Sequence, residues 1–203
     1  MREMIIRGAK RCGIALVALA VVVAPAQVAK AAANDPGARP AFAEQARSAG
    51  LDQRQARLLQ GEVDKTLAGM KVGGRQISAN EVMSDDGRVK VVIPVPGEER
   101  ARSLSGATTL ANCSYLYLCL FDYANFSGTL RQLYYCDFIN LGNYGLNDRL
   151  ESYDNSQSAG TRAYFYNWEG QWVYKFGSTA PHTDYNLNRW AGLANMIDAV
   201  DPC

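Results

Sequence analysis

The chain has 203 residues, 48% of them hydrophobic, and balances 21 Lys+Arg against 20 Asp+Glu, which allows one or two small globular domains. The balance is uneven along the chain: residues 106–203 carry 5 basic against 9 acidic side chains, net −4, which disfavours a partner recognised through cation–phosphate contacts. Nineteen of the twenty Phe, Tyr and Trp also follow residue 106, only Phe42 preceding it, so the main folded core is expected there.

Residues 1–33 read as a secretory signal. Arg2, Arg7, Lys10 and Arg11 precede an apolar run from Gly13 to Ala24, too short to span a bilayer comfortably, and small residues follow. Residues 34–50 are rich in Ala, Pro, Gly and charge and are expected to be flexible. Asp52 then caps a helix whose apolar stripe is Leu59, Val63 and Leu67, ended by Gly69. Two strand-like pieces follow, Gln76–Val82 and Arg88–Val95, with a hairpin turn at Ser84-Asp85-Asp86-Gly87. A helix plus a hairpin is too small to stand alone. Residues 34–105 are therefore expected to be a propeptide, a docking segment or a linker, with an exposed, cleavable stretch at Glu98–Arg102.

Beyond Gly106, short alternating runs recur at Tyr115–Phe121, Thr129–Tyr135, Ala163–Trp168 and Gln171–Phe176, punctuated by glycines. This pattern predicts an all-β sandwich or barrel. One unit occurs twice: Phe121 and Tyr123 precede Phe126-x-Gly128, with Leu150-Glu151-Ser152-Tyr153 later. Tyr164 and Tyr166 precede Trp168-x-Gly170, with Ile197-Asp198-Ala199-Val200 later. Two Greek keys stacked as a sandwich are the expected architecture. With Cys12 in the leader, Cys113, Cys119, Cys136 and Cys203 remain, an even number that reads as two disulfides in an exported chain. Three connectivities are possible; Cys113–Cys119 is the geometrically easy local pair, leaving Cys136–Cys203 to hold the chain end.

The aromatic corner, glycine turn and polar loop of Cys113–Tyr153 (CSYLYLCLFDYANFSG…NLGNYGLNDRLESY) resemble one Greek-key unit of a βγ-crystallin-like domain. The Cys-x5-Cys opening and the wording around it look like the secreted peptidase inhibitors of actinobacteria, the Streptomyces metalloproteinase inhibitor type. The resemblance covers residues 110–203, within a domain expected at 106–203, and implies a secreted, disulfide-stabilised, non-catalytic monomer that presents a substrate-like loop. Its implied partner is a secreted peptidase, a metalloprotease by preference, with no nucleic acid and no membrane once the leader is gone. The inhibitory loop is not assigned, because no second local cysteine pair matches the family's reactive loop. The alternative is a crystallin-type module binding calcium or a cell-wall or cell-surface ligand, toxin-like roles included.

For calcium, the loop Asn147-Asp148-x-x-Glu151-Ser152 resembles a crystallin calcium motif with Glu where Ser or Thr is usual. The ligand candidates are Asp148, Glu151 and Asp198, against a purely structural turn. His182 is the only histidine and lies in a polar stretch; a Ser-His-Asp or Cys-His enzyme would have to use it. Tyr164, Tyr166, Trp168, Trp172 and Trp190 are either core and corner packing or a protein- or sugar-binding face.

Overall fold

A computed structural model of the chain describes residues 38–106, 113–190 and 192–203; the leader expected at residues 1–33 lies outside them. Helix α1 is Ala38–Ser48 and α2 is Gln53–Gly69. Strands β1 (Gly74–Gln76), β2 (Glu81–Ser84) and β3 (Val89–Val92) form the expected hairpin region, with a break between β1 and β2 where one strand was predicted. Then come β4 (Leu118–Tyr123), β5 (Ser127–Leu133), β6 (Ile139–Asn140), β7 (Ser152–Asn155), β8 (Arg162–Trp168), β9 (Trp172–Thr179), β10 (His182–Asp184) and β11 (Ala199–Asp201). No helix among the described residues is long and apolar enough to cross a membrane.

The strands form two antiparallel sheets, ordered β1-β2-β3-β5-β4-β7-β10 and β6-β11-β8-β9. In each half the first, second and fourth strands share a sheet, and the third crosses to the other: β6 pairs with β11, and β10 with β7. This exchange makes a double Greek key of the βγ-crystallin type. The repeat read from sequence reappears as matched geometry. Asp148 and Asn195 both adopt left-handed backbone, φ 55° and 56°, and so do Gly128 and Gly170, φ 77° and 80°. The Asp148 amide donates to the Ile197 carbonyl (3.1 Å) and the Asn195 amide to the Leu150 carbonyl (2.9 Å), a reciprocal pair across the pseudo-dyad.

The segment before residue 106 does not stand apart as a linker would: it extends the first sheet. β3 pairs with β5 from Val89↔Leu133 to Val92↔Leu130. Residues 38–48, expected to be flexible, form α1, because Phe42, Ala46 and Leu51 find apolar neighbours in the main core. The capping box at Asp52 and Gln55 starts α2 as expected, and its Leu59 and Val63 are buried. A single core runs from these through Val82, Val89 and Val91 to Leu120, Leu133, Phe165 and Val200. On the other face of the first sheet, Ala101 packs against Cys119, Phe121 and Leu130. The stretch expected to be cleavable is therefore pinned. Glu98–Arg100 are exposed, but Ala101 is buried and the Glu99 carbonyl accepts from the Gly128 amide at 2.7 Å.

The end of α2 docks on the loop after β6. Lys71 donates its amide to the Asn143 carbonyl (2.8 Å), and the Tyr144 hydroxyl donates to Asp86 Oδ2 (2.7 Å) in the β2–β3 turn. Burial and the bond to Asp86 both push the Tyr144 hydroxyl pKa up. Burial alone would raise the Asp86 pKa; hydrogen bonds from Ser84, Tyr144 and the Arg88 amide outweigh it and hold the carboxyl low. Gly145 sits at φ 70°, and a Cβ there would lie 2.8 Å from the Gly69 carbonyl oxygen. Gly145→Ala is expected to cost at least about 1–2 kcal/mol from left-handed backbone alone, more with the clash, read as a lower urea midpoint at unchanged slope.

Candidate functional site

The polar loop does structural work first. Glu151 accepts from the Ala124 amide (3.2 Å) through Oε2 and from Asn195 Nδ2 (2.8 Å) through Oε1. Asp198, its counterpart in the second unit, accepts from the Trp168 amide at 2.9 Å. Ser152 Oγ donates to the Tyr123 carbonyl (2.6 Å) and accepts from the Phe126 amide (3.1 Å). Each carboxylate thus ties the closing strand of its unit to that unit's aromatic corner. The three calcium candidates do not converge: Asp148 and Asp198 line one groove, while Glu151 holds the Ala124 corner. Among the described residues no group of three or more His, Cys, Asp or Glu is arranged to hold a metal ion, and calcium needs roughly six to eight oxygens.

The cysteines pair Cys113–Cys119 and Cys136–Cys203, with Cα–Cα distances of 5.7 and 4.9 Å. Two disulfides are a mark of an oxidising compartment. The first closes a turn that carries Tyr115, 70% exposed, and Leu116, held at φ 76°. Two backbone bonds brace this turn: the Leu116 amide donates to the Ser156 carbonyl (2.9 Å) and the Tyr117 amide to the Ser114 carbonyl (3.1 Å). Leu116 borders a depression of about 340 Å³ together with Tyr134, Tyr135 and both half-cystines of the second bridge. Tyr134 and Tyr135 are half-exposed and meet edge to face at 5.5 Å. The loop closed by Cys113–Cys119 and the Cys136–Cys203 bridge itself therefore border one exposed aromatic end of the sandwich. Sequence alone marks the Cys-x5-Cys turn; only folding brings Tyr134, Tyr135 and Cys203 beside it.

The predicted aromatic face splits. Tyr164, Tyr166 and Trp168 alternate along β8, while Trp172 and Tyr174 lie on β9 in cross-strand pairs Trp168↔Trp172 and Tyr166↔Tyr174. Phe138, which the sequence reading missed, joins them, its ring 5.5 Å from Tyr166 and 5.2 Å from Trp172. Beside the hairpin end lies an open groove of about 760 Å³, which Trp168 and Trp172 share with Asn147, Asp148, Asn167 and Asp198. Trp190 is elsewhere, its Nε1 donating to Asp184 Oδ2 at 2.5 Å. His182 Nδ1 lies 3.0 Å from the Tyr153 hydroxyl, and the two rings stack.

No protein-family model and no curated protein matches the chain. A solved structure described as "Evolution of the eye lens beta-gamma-crystallin domain fold" is similar, at 16% sequence identity and a TM-score of 0.35, over 46% of this chain and 90% of that one.

Proposed function

We propose that this is an exported, non-catalytic peptidase inhibitor that docks through the Tyr115–Leu116 turn. The observation that carries the reading is the crosslinked turn that exposes Tyr115, whose Leu116 borders a depression lined by the other disulfide. A rigid, protruding aromatic anchor loses little conformational entropy on binding, and Tyr is among the side chains favoured at the centre of protein interfaces. Specificity pockets of peptidases accept such a side chain. Leu116, with φ 76°, interrupts an extended path through the turn. The anchor therefore acts by filling a pocket, not by offering a scissile bond in a strand-like pose. The four disulfide-bonded cysteines hold no free thiol, and His182 is engaged with Tyr153, which supports a binding role over a nucleophilic one. The partner is a secreted peptidase; the resemblance of Cys113–Tyr153 to the actinobacterial inhibitors makes a thermolysin-like metalloprotease the first to test. The inhibitor acts as a monomer.

The exported chain, with residues 34–105 retained and disulfides intact, should be titrated against thermolysin-like, subtilisin-like and papain-like proteases. Stoichiometric inhibition of one class is expected. Tyr115→Ala should weaken it by about 2 kcal/mol or more, roughly 30-fold, while leaving the melting temperature nearly unchanged. A folded chain that inhibits none of the three classes would sink the proposal.

A further inference from the structure

We infer that the groove beside the β8–β9 hairpin end is a second binding site, for an uncharged polysaccharide chain. It stands apart from the peptidase reading, which uses the Tyr115 turn. The aromatic rings form a chain of contacts along the outer face: Tyr164–Tyr174 at 6.3 Å, Tyr174–Tyr166 at 6.1 Å, Tyr166–Phe138 at 5.5 Å, Phe138–Trp172 at 5.2 Å and Trp172–Trp168 at 4.8 Å. None of the six is buried; Trp168 is 54% and Tyr174 48% exposed. Tyr164 to Trp168 spans about 13 Å at the usual strand rise, long enough for a short run of sugar rings. Phe165 and Phe176, stacked at 4.2 Å, fill the opposite, inner face, so the outer aromatics are not needed to close the core.

At the Trp168 end the strip meets polar side chains of a particular kind. Asn147, Asn167, Asp148 and Asp198 line the groove with carboxamides and carboxylates. Asn147 uses one N–H on Asp148 (3.0 Å) and Asn167 one on Glu169 (3.2 Å), so each keeps a second N–H and its carbonyl oxygen for a ligand. A hydroxyl-rich ligand that both donates and accepts satisfies such groups, while the apolar C–H faces of its rings lie on the aromatic rings. Apolar side chains laid in the groove would leave the remaining N–H groups and oxygens of these side chains without partners. Among the described residues, Lys71 is the one cationic side chain lining the groove, against Asp148 and Asp198. That balance disfavours nucleic acid and other polyanions, whereas a neutral hydroxyl-rich chain meets no such repulsion.

The groove is also preformed. The Trp168 amide donates to Asp198 Oδ2 at 2.9 Å, the hairpin turn closes through Glu169 N to the Gln171 carbonyl (2.9 Å), and Lys175 pairs with Glu169. The Trp168 ring can therefore be removed without removing what fixes its backbone.

The test is sedimentation of the exported chain, residues 34–105 retained, with insoluble chitin, cellulose and β-1,3-glucan, followed by titration calorimetry with soluble oligosaccharides of the polymer that binds. Binding to at least one polymer is expected. Trp168→Ala and Trp172→Ala should each weaken it about tenfold or more, and Asn147→Ala several-fold, whereas Trp190→Ala and Tyr115→Ala should not change it. The thermal melt of each variant shows that it is folded. Binding to none of the polymers overturns the inference, as does binding that survives Trp168→Ala and Trp172→Ala. Polysaccharide binding without peptidase inhibition would leave this site standing and remove the other.

Discussion

Asp122→Ala is expected to cost about 3–5 kcal/mol, because it leaves a buried guanidinium without its counter-charge. Asp122 and Arg131 form an ion pair between the neighbouring strands β4 and β5, with side chains 6% and 2% exposed. Burial pushes the Arg131 pKa below its usual value, and the Asp122 carboxylate opposes that by attraction and hydrogen bonding. The other arginine near that carboxylate is half-exposed Arg149, at 3.6 Å. Arg131 Nε has no hydrogen-bond partner among the described residues, so the ion pair is what keeps the charge tolerable there. A loss of this size is a large part of the roughly 5–15 kcal/mol that ordinary domains possess, and for a chain of this length it lowers the melting temperature by roughly 10 °C. The double variant Asp122→Leu/Arg131→Met removes both charges and should recover most of the loss. If Asp122→Ala melts within a degree or two of the parent, the buried pair is not the electrostatic lock described.

Replacing Cys136 and Cys203 by serine should cost about 4 kcal/mol, against about 2 kcal/mol for Cys113 and Cys119, in the loop-entropy account of crosslinks. The difference follows from loop size: Cys136–Cys203 spans 67 residues in sequence and Cys113–Cys119 six. The long bridge holds the chain end, just after β11, against the segment leading from β5 to β6. Without it, β11 would rely on its pairing with β8 and β6 alone. Denaturant titration of each double-serine variant checks the order. The short bridge has the opposite functional weight: its loss should reduce peptidase inhibition more than stability, since it constrains the turn that carries Tyr115. Equal effects of the two bridges on both readouts would contradict this division.

Much of the architecture was legible because it rests on local rules. The α2 cap at Asp52, the Leu59–Val63 stripe and the Gly87 turn follow from propensity and periodicity over a few residues. The two-fold repeat was legible because left-handed glycine corners and the closing strands recur in the same order. Four cysteines beyond the expected leader implied two bridges by their number. What tertiary structure alone decided is pairing. β6 and β10 are two and three residues long, too short for any periodic signal, yet their exchange between sheets makes this a double Greek key. Alternation says which side chains share a face of a strand, not which strand lies beside it. That is why the hairpin before residue 106 read as separable, although β3 is hydrogen-bonded to β5. The same holds for the sites. Sequence singled out Trp168 and Trp172 as part of one set and Asp148 and Asp198 as part of another, and folding placed all four around one groove. It also brought Tyr134, Tyr135 and the final cysteine beside the clamped turn, because long-range contacts depend on packing and crosslinks that no local window contains.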